Sequence, residues 1–134
     1  MKKILIVDDD NVFQKTMSAK LESFNYEVIS AEDGEIGLEK AVKEKPDLIL
    51  LDVKMPNMDG VTLLKKLRSN EAVPKMPVLI TSNLSVTDNI ADGVALGVRG
   101  YIIKSNETLD SLLREVEAIL MPDKKVDSEI RKIE

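Results

Sequence analysis

Short apolar runs alternate along the chain with longer segments in which apolar residues recur every three or four positions. Ile4–Val7, Leu48–Leu51 and Val78–Thr81 are nearly continuous in apolar character, as strands buried on both faces are. Glu27–Ser30 and Tyr101–Ile103 are two further strand candidates. Helical patterns lie between them. Phe13, Met17, Leu21 and Phe24 are spaced by 4, 4 and 3 and share one helical face. Asp33 stands as an N-cap before Leu38, Ala41 and Val42. Met55-Pro56-Asn57-Met58-Asp59-Gly60 is turn chemistry leading into a helix with Val61, Leu64 and Leu67. A fourth helix is predicted over Val86 to Leu96. Leu109, Leu112, Leu113, Val116, Ile119 and Leu120 form the cleanest stripe, with Asn106 as its cap and Pro122 as its stop.

Five strands alternating with five helices predict an α/β domain, a doubly wound five-stranded parallel sheet covered on both faces. Ligands of such sheets gather beyond the carboxyl ends of the strands. The first strand ends in Asp8-Asp9-Asp10, the third in Asp52, the fourth in Thr81-Ser82 and the fifth in Lys104. Carboxylates brought within a few ångströms repel one another, raise one another's pKa values and favour a bound cation. Asp10 fits better as the N-cap of the first helix.

Composition narrows the chemistry. A chain of 134 residues, 43% of them hydrophobic, suits one domain with a real core. It contains no Cys and no His, which excludes disulfides, ordinary zinc sites and histidine-based catalysis. A metal must sit on oxygen ligands, as magnesium does. The net charge of −5 argues against binding a nucleic-acid backbone. The first apolar run stops after four residues, too short for a signal peptide. No run approaches the roughly 20 residues of a membrane span. The expectation is a cytoplasmic protein with no membrane contact. A carboxylate beside magnesium and a lysine is a sensible phosphoryl acceptor, because phosphoryl transfer asks mainly for alignment and neutralised oxygens. Lys104 and the Thr81 hydroxyl can supply that neutralisation, and an anionic Asp52 needs no general base.

The motifs in order resemble the receiver domain of two-component response regulators over residues 1–121. They are Ile-Leu-Ile-Val-Asp8-Asp9, Leu-Ile-Leu-Leu-Asp52-Val-Lys-Met-Pro56-Asn-Met-Asp-Gly60, Val-Leu-Ile-Thr81-Ser82 and Gly100-Tyr101-Ile-Ile-Lys104. The resemblance implies the flavodoxin-like strand order 2-1-3-4-5 and phosphorylation of Asp52. The phosphoryl group would come from a sensor histidine kinase or a histidine phosphotransfer protein. Magnesium, for which manganese can stand in, would be held by Asp9, Asp52 and the Lys54 backbone carbonyl, with Asp8 acting partly through water. Thr81 and Tyr101 take the positions of the family's switch pair. The domain would promote only its own phosphorylation and dephosphorylation, and so would not be an enzyme in the turnover sense. Lys104 is followed by Ser105 where the family commonly has a proline after a cis bond. A cis bond before Ser105 would cost about 2.5–4 kcal/mol, so a trans bond is expected.

Two other readings share these residues. Asp8-Asp9-Asp10-Asn11-Val12 matches the nucleophile motif of haloacid-dehalogenase-type phosphatases, although no cap insertion or later acidic pair accompanies it. A pseudo-receiver on the same fold would bind partners without being phosphorylated. Residues 122–134 read as a charged tail or linker stub, with Val126, Ile130 and Ile133 spaced by 4 and 3. A stand-alone receiver that binds no nucleic acid is expected, with an unidentified protein target.

Overall fold

The computed structural model describes residues 1–83 and 97–121. Strand β1 (Lys3–Val7) leads to helix α1 (Asn11–Glu22), β2 (Glu27–Ala31), α2 (Gly34–Glu44), β3 (Leu48–Leu51) and α3 (Gly60–Ser69). Then come β4 (Val78–Ser82), β5 (Gly100–Ile103), a single 3₁₀ turn at Lys104–Asn106, and helix α4 (Leu109–Leu120). The five strands are all parallel, in the order β2-β1-β3-β4-β5. That is the predicted doubly wound sheet. The helix expected over Val86 to Leu96 and the tail from residue 122 lie outside the described residues. No helix among the described residues is long and apolar enough to cross a membrane.

The continuous apolar runs are explained by two cores. Alternate side chains of a strand face opposite sides of the sheet. Leu5, Val7, Ile49, Leu51, Val78 and Ile80 join Ala41 of α2 and Leu63, Leu64 and Leu67 of α3 in one core. Ile4, Ile6, Leu48, Leu50, Leu79 and Ile102 join Phe13, Met17 and Leu21 of α1 and Leu112, Leu113 and Val116 of α4 in the other. A polar side chain inside β1, β3 or β4 would be buried on either face, so the first polar residue of each run falls near the strand's end.

Two predicted details differ. Phe24 is not on the face of α1, because the helix stops at Glu22 and Asn25 turns the chain at φ 67°. Phe24 is exposed, and its ring lies under the Lys20 ammonium, 5.4 Å from Nζ to the centroid. Asn106 does not cap α4, because it is taken up in the 3₁₀ turn. Thr108 caps the helix through a reciprocal box: Ser111 N–H donates to Thr108 Oγ1 at 3.0 Å, and Thr108 N–H donates to Ser111 Oγ at 2.8 Å. Asp10 and Asp33 cap α1 and α2 as the sequence predicts.

The start of α3 presses against the end of β3. The Gly60 N–H donates to the Val53 carbonyl at 2.7 Å, and a Cβ on Gly60 would collide with the Asp52 carbonyl oxygen and lie 3.0 Å from Val53 Cα. These are backbone atoms and cannot rotate away. Gly60→Ala is therefore expected to lower the stability of the chain by about 1–3 kcal/mol in urea unfolding. An unchanged midpoint would show that α3 can shift without loss.

Candidate functional site

Backbone pairing brings the aspartates together. Past the end of β1 the Asp8 N–H still donates to the Ala31 carbonyl at 3.0 Å, and past β3 the Asp52 N–H donates to the Val7 carbonyl at 2.9 Å. Asp8 and Asp52 therefore follow directly on adjacent strands, paired Val7 to Leu51. The first turn of α1 then sorts the three aspartates. Asp10 Oδ1 accepts from the N–H groups of Val12 and Phe13 at 3.0 and 3.1 Å. Asp8 Oδ1 accepts the Asp10 N–H at 2.9 Å. Asp8 and Asp52 are buried, whereas Asp9 and Asp10 are exposed.

Lys104 enters from the end of β5. Its Nζ lies 2.5 Å from Asp8 Oδ2 and 4.4 Å from the centroid of the Phe13 ring. The Lys104–Ser105 peptide is trans, as expected for a residue other than proline. Thr81, in β4, is fully buried, and its Oγ1 has no hydrogen-bond partner among the described residues. Tyr101, in β5, stands opposite Ile80, half-buried against the core that α2 and α3 cover. It does not line the acidic cleft. That cleft, about 180 Å³, is lined by Asp9, Asp10, Asp52, Lys54, Ser82, Asn83 and Lys104.

Burial dominates the electrostatics. It pushes the Asp52 carboxyl up to about 6, assisted by the charges of Asp8 and Asp9 and opposed by Lys104 and by the Lys54 backbone N–H. Burial also raises Asp8, against the pull of its hydrogen bond with Lys104 and of the Asp10 N–H. One carboxylate oxygen from each of Asp8, Asp9 and Asp52 lies within 4.8 Å of the others. Oxygen ligands around one magnesium stand about 3–4 Å apart, given bonds of about 2.0–2.1 Å. A small contraction would close the three on one ion, and an all-oxygen donor set suits a hard cation. The residues fit the metal that the resemblance implies.

The predicted residues thus fall into groups. Asp8, Asp9, Asp52, Lys54 and Lys104 meet at one edge of the sheet, Thr81 is buried one residue before Ser82 of the cleft, and Tyr101 stands apart from it. The neighbouring loop is pinned by Asn57 (φ 69°), whose Nδ2 donates to Asp33 Oδ2 at 2.9 Å. The phosphatase motif would make Asp8 the nucleophile, yet Asp8 is fully buried and paired with Lys104. Sequence reasoning missed Gln14, a buried amide behind Asp8. Its signal was a polar residue within the apolar stripe of α1.

Comparison with known proteins agrees with this geometry. The family model described as response regulator receiver domain matches residues 4–117. The response regulator ArlR of Staphylococcus saprophyticus is 37% identical over 120 residues, covering 90% of this chain and 53% of that protein. The DNA-binding dual master transcriptional regulator RpaA of Synechocystis is 36% identical over 120 residues, covering 90% of this chain and 49% of its own. The chain spans about half the length of these curated relatives. Among solved structures, the chemotaxis protein CheY4 of Vibrio cholerae superposes with a TM-score of 0.81 at 31% identity, covering 89% of this chain and 98% of that one. Five parallel strands in the order 2-1-3-4-5, an acidic cluster at their carboxyl ends and these matches lead to one assignment: the chain belongs to the response regulator receiver domain family of two-component signalling.

Proposed function

We propose that Asp52 is the phosphoacceptor of this receiver domain, and that Asp8, Asp9, Asp52 and the Lys54 carbonyl hold a magnesium ion beside it. The observation that supports this most is the meeting of the Asp52 carboxylate with those of Asp8 and Asp9, in a cleft that Lys104 also lines. Magnesium, when bound, neutralises charge on the carboxylates and on the incoming phosphoryl group. The donor is the phosphohistidine of a histidine kinase or phosphotransfer protein, since this chain has no histidine of its own. An Asp52 carboxylate oxygen forms the new O–P bond while the P–N bond of the donor breaks and the imidazole leaves. Lys104 bonds a phosphoryl oxygen in exchange for Asp8. The Thr81 hydroxyl, buried without a partner among the described residues, gains an acceptor in the same group. A buried hydroxyl left unsatisfied costs about 1–3 kcal/mol, so that bond favours the phosphorylated state. Tyr101, half-buried on the neighbouring strand, follows Thr81, and a pre-existing equilibrium of the surface shifts.

In this reading residues 1–121 form the receiver unit and 122–134 a tail or linker. The domain promotes only its own phosphorylation and dephosphorylation. Its direct partners are the kinase and a protein target. The net charge of −5 disfavours contact of this unit with nucleic acid, and DNA binding by a relative such as RpaA belongs to that whole protein.

The raised Asp52 pKa has a consequence for stability. A carboxyl that holds its proton more tightly when folded makes the native state bind more protons than the unfolded one. Without metal, stability therefore falls as pH rises from the ordinary carboxyl value of 3.8 to about 6. Asp52→Asn removes that titration. At pH 7 without magnesium it is expected to be more stable than the wild type by roughly 2–3 kcal/mol. The difference should shrink to about 0.5 kcal/mol at pH 4, just above the unfolded value of 3.8, as checked by urea unfolding at both pH values. Equal stability at pH 7 would contradict the raised pKa.

The function is tested by incubation with acetyl phosphate and magnesium, followed by mass spectrometry and peptide mapping. The expected result is a gain of one phosphoryl group on Asp52, abolished in Asp52→Asn and by chelation of the metal. Transfer to Asp8, or no transfer under any condition, would replace this reading with the phosphatase or pseudo-receiver reading.

A further inference from the structure

Helix α1 carries one polar side chain inward. Gln14, the chain's one glutamine, is 6% exposed in the same layer as Phe13, Met17 and Leu21. Its Nε2 lies 2.8 Å from the Ala31 carbonyl, 2.9 Å from the Ile6 carbonyl and 3.1 Å from the Asp8 carbonyl. Three carbonyl oxygens around one amide group leave no choice of orientation, because only the NH₂ end can face them. The Oε1 has no donor among the described residues. A residue serving packing alone would avoid that unsatisfied oxygen, as a leucine or methionine does, so the donated bonds outweigh its loss.

These acceptors sit where the β1–β2 ladder opens. The Ala31 carbonyl already receives the Asp8 N–H, the last bond of the ladder. Gln14 faces the same oxygen, the Ile6 carbonyl in β1 and the Asp8 carbonyl just past it, its two N–H groups shared among the three acceptors. Asp8 is thereby fixed from both sides of its backbone: its N–H by Ala31 and its C=O by Gln14. The Asp8 carbonyl belongs to the peptide that leads into Asp9, so the same bond fixes where Asp9 starts.

We propose that Gln14 is a positioning residue of the metal site, a clamp that holds the Asp8–Asp9 peptide so that both carboxylates point at Asp52. It touches neither metal nor phosphoryl group and acts through the backbone. The inference rests on the metal reading of Asp8, Asp9 and Asp52. Partners that orient ligands in this way are worth about 10–100-fold in metal affinity.

The test is magnesium binding to the full chain by calorimetry, alongside thermal unfolding, in the wild type, Gln14→Met and Met17→Ala. Met17 is fully buried on the same helix and contacts no ligand backbone in the hydrogen-bond network above, so its truncation loosens α1 and leaves the clamp intact. Gln14→Met is expected to weaken magnesium binding by about tenfold or more. Met17→Ala should lower the melting temperature and leave magnesium affinity unchanged. Wild-type affinity in Gln14→Met, or an equal loss in both variants, would overturn the assignment of Gln14 alone. A wild-type chain that binds no magnesium would overturn the metal reading and the role of Gln14 with it. Should Gln14→Met fail to fold, hydrogen exchange of the Gln14 carboxamide in the wild type decides. Strong protection relative to the exposed Asn11 and Asn25 amides supports the clamp, and equal exchange rejects it.

Discussion

Three carboxylates share a space suited to one ion, and one lysine ammonium touches one of them, Asp8. This crowding is the constraint from which the rest of the site follows. Two unit charges 4 Å apart repel by about 4 kcal/mol at the effective dielectric near a protein surface. That is a large share of the marginal stability of a domain this size. Lys104 relieves part of it by its 2.5 Å contact with Asp8. Asp52 receives less relief, and burial first, then the charges of Asp8 and Asp9, push its carboxyl up to about 6. The free chain is thus poised to gain stability from added positive charge at this edge, which a divalent cation would supply.

The fold has to be rigid to maintain such crowding. β1 and β3 lie side by side in the middle of the sheet, each packed on both faces by apolar layers. Neither can slide without moving every side chain of its run to the opposite core. The helix starts then aim the polar groups. Asp10 is spent capping α1, Asp33 and Asn57 tie the loop after Asp52 to α2, and Gly60 lets α3 press directly on the Asp52 carbonyl. Thr81 carries one of the unsatisfied groups of the interior, a buried hydroxyl with no partner among the described residues. A group left waiting at a strand end beside the acidic cleft is a structural reason to expect a ligand oxygen there.

Much of this was legible in the sequence because strand ends are marked by chemistry. In a strand buried on both faces, the first aspartate after the apolar run must lie at the edge, which is how Asp8 and Asp52 stand out. Lys104 follows the shorter apolar run of the half-buried edge strand β5. Helix periodicity was less decisive. It extended α1 to Phe24, since a spacing of three fits a helix equally well in a chain that has already turned at Asn25. It favoured Asn106 as a cap because asparagine is a good one, yet the 3₁₀ turn after Lys104 carries the helix start to Thr108. Gln14 escaped because apolar periodicity is read from apolar residues, and a lone amide within the stripe looks like a gap. The three carbonyls that give it meaning come from β1, its trailing loop and β2, which meet only in the folded chain.

The most direct measurement is a crystal structure of the chain with magnesium and trifluoroberyllate, a mimic of the phosphoryl group. The expected structure has beryllium on a carboxylate oxygen of Asp52, magnesium on Asp9, Asp52 and the Lys54 carbonyl with Asp8 reaching it partly through water, and the Lys104 ammonium turned from Asp8 to a fluorine. A mimic bound to any other side chain, or an Asp52 left free of both ions, would contradict the assignment.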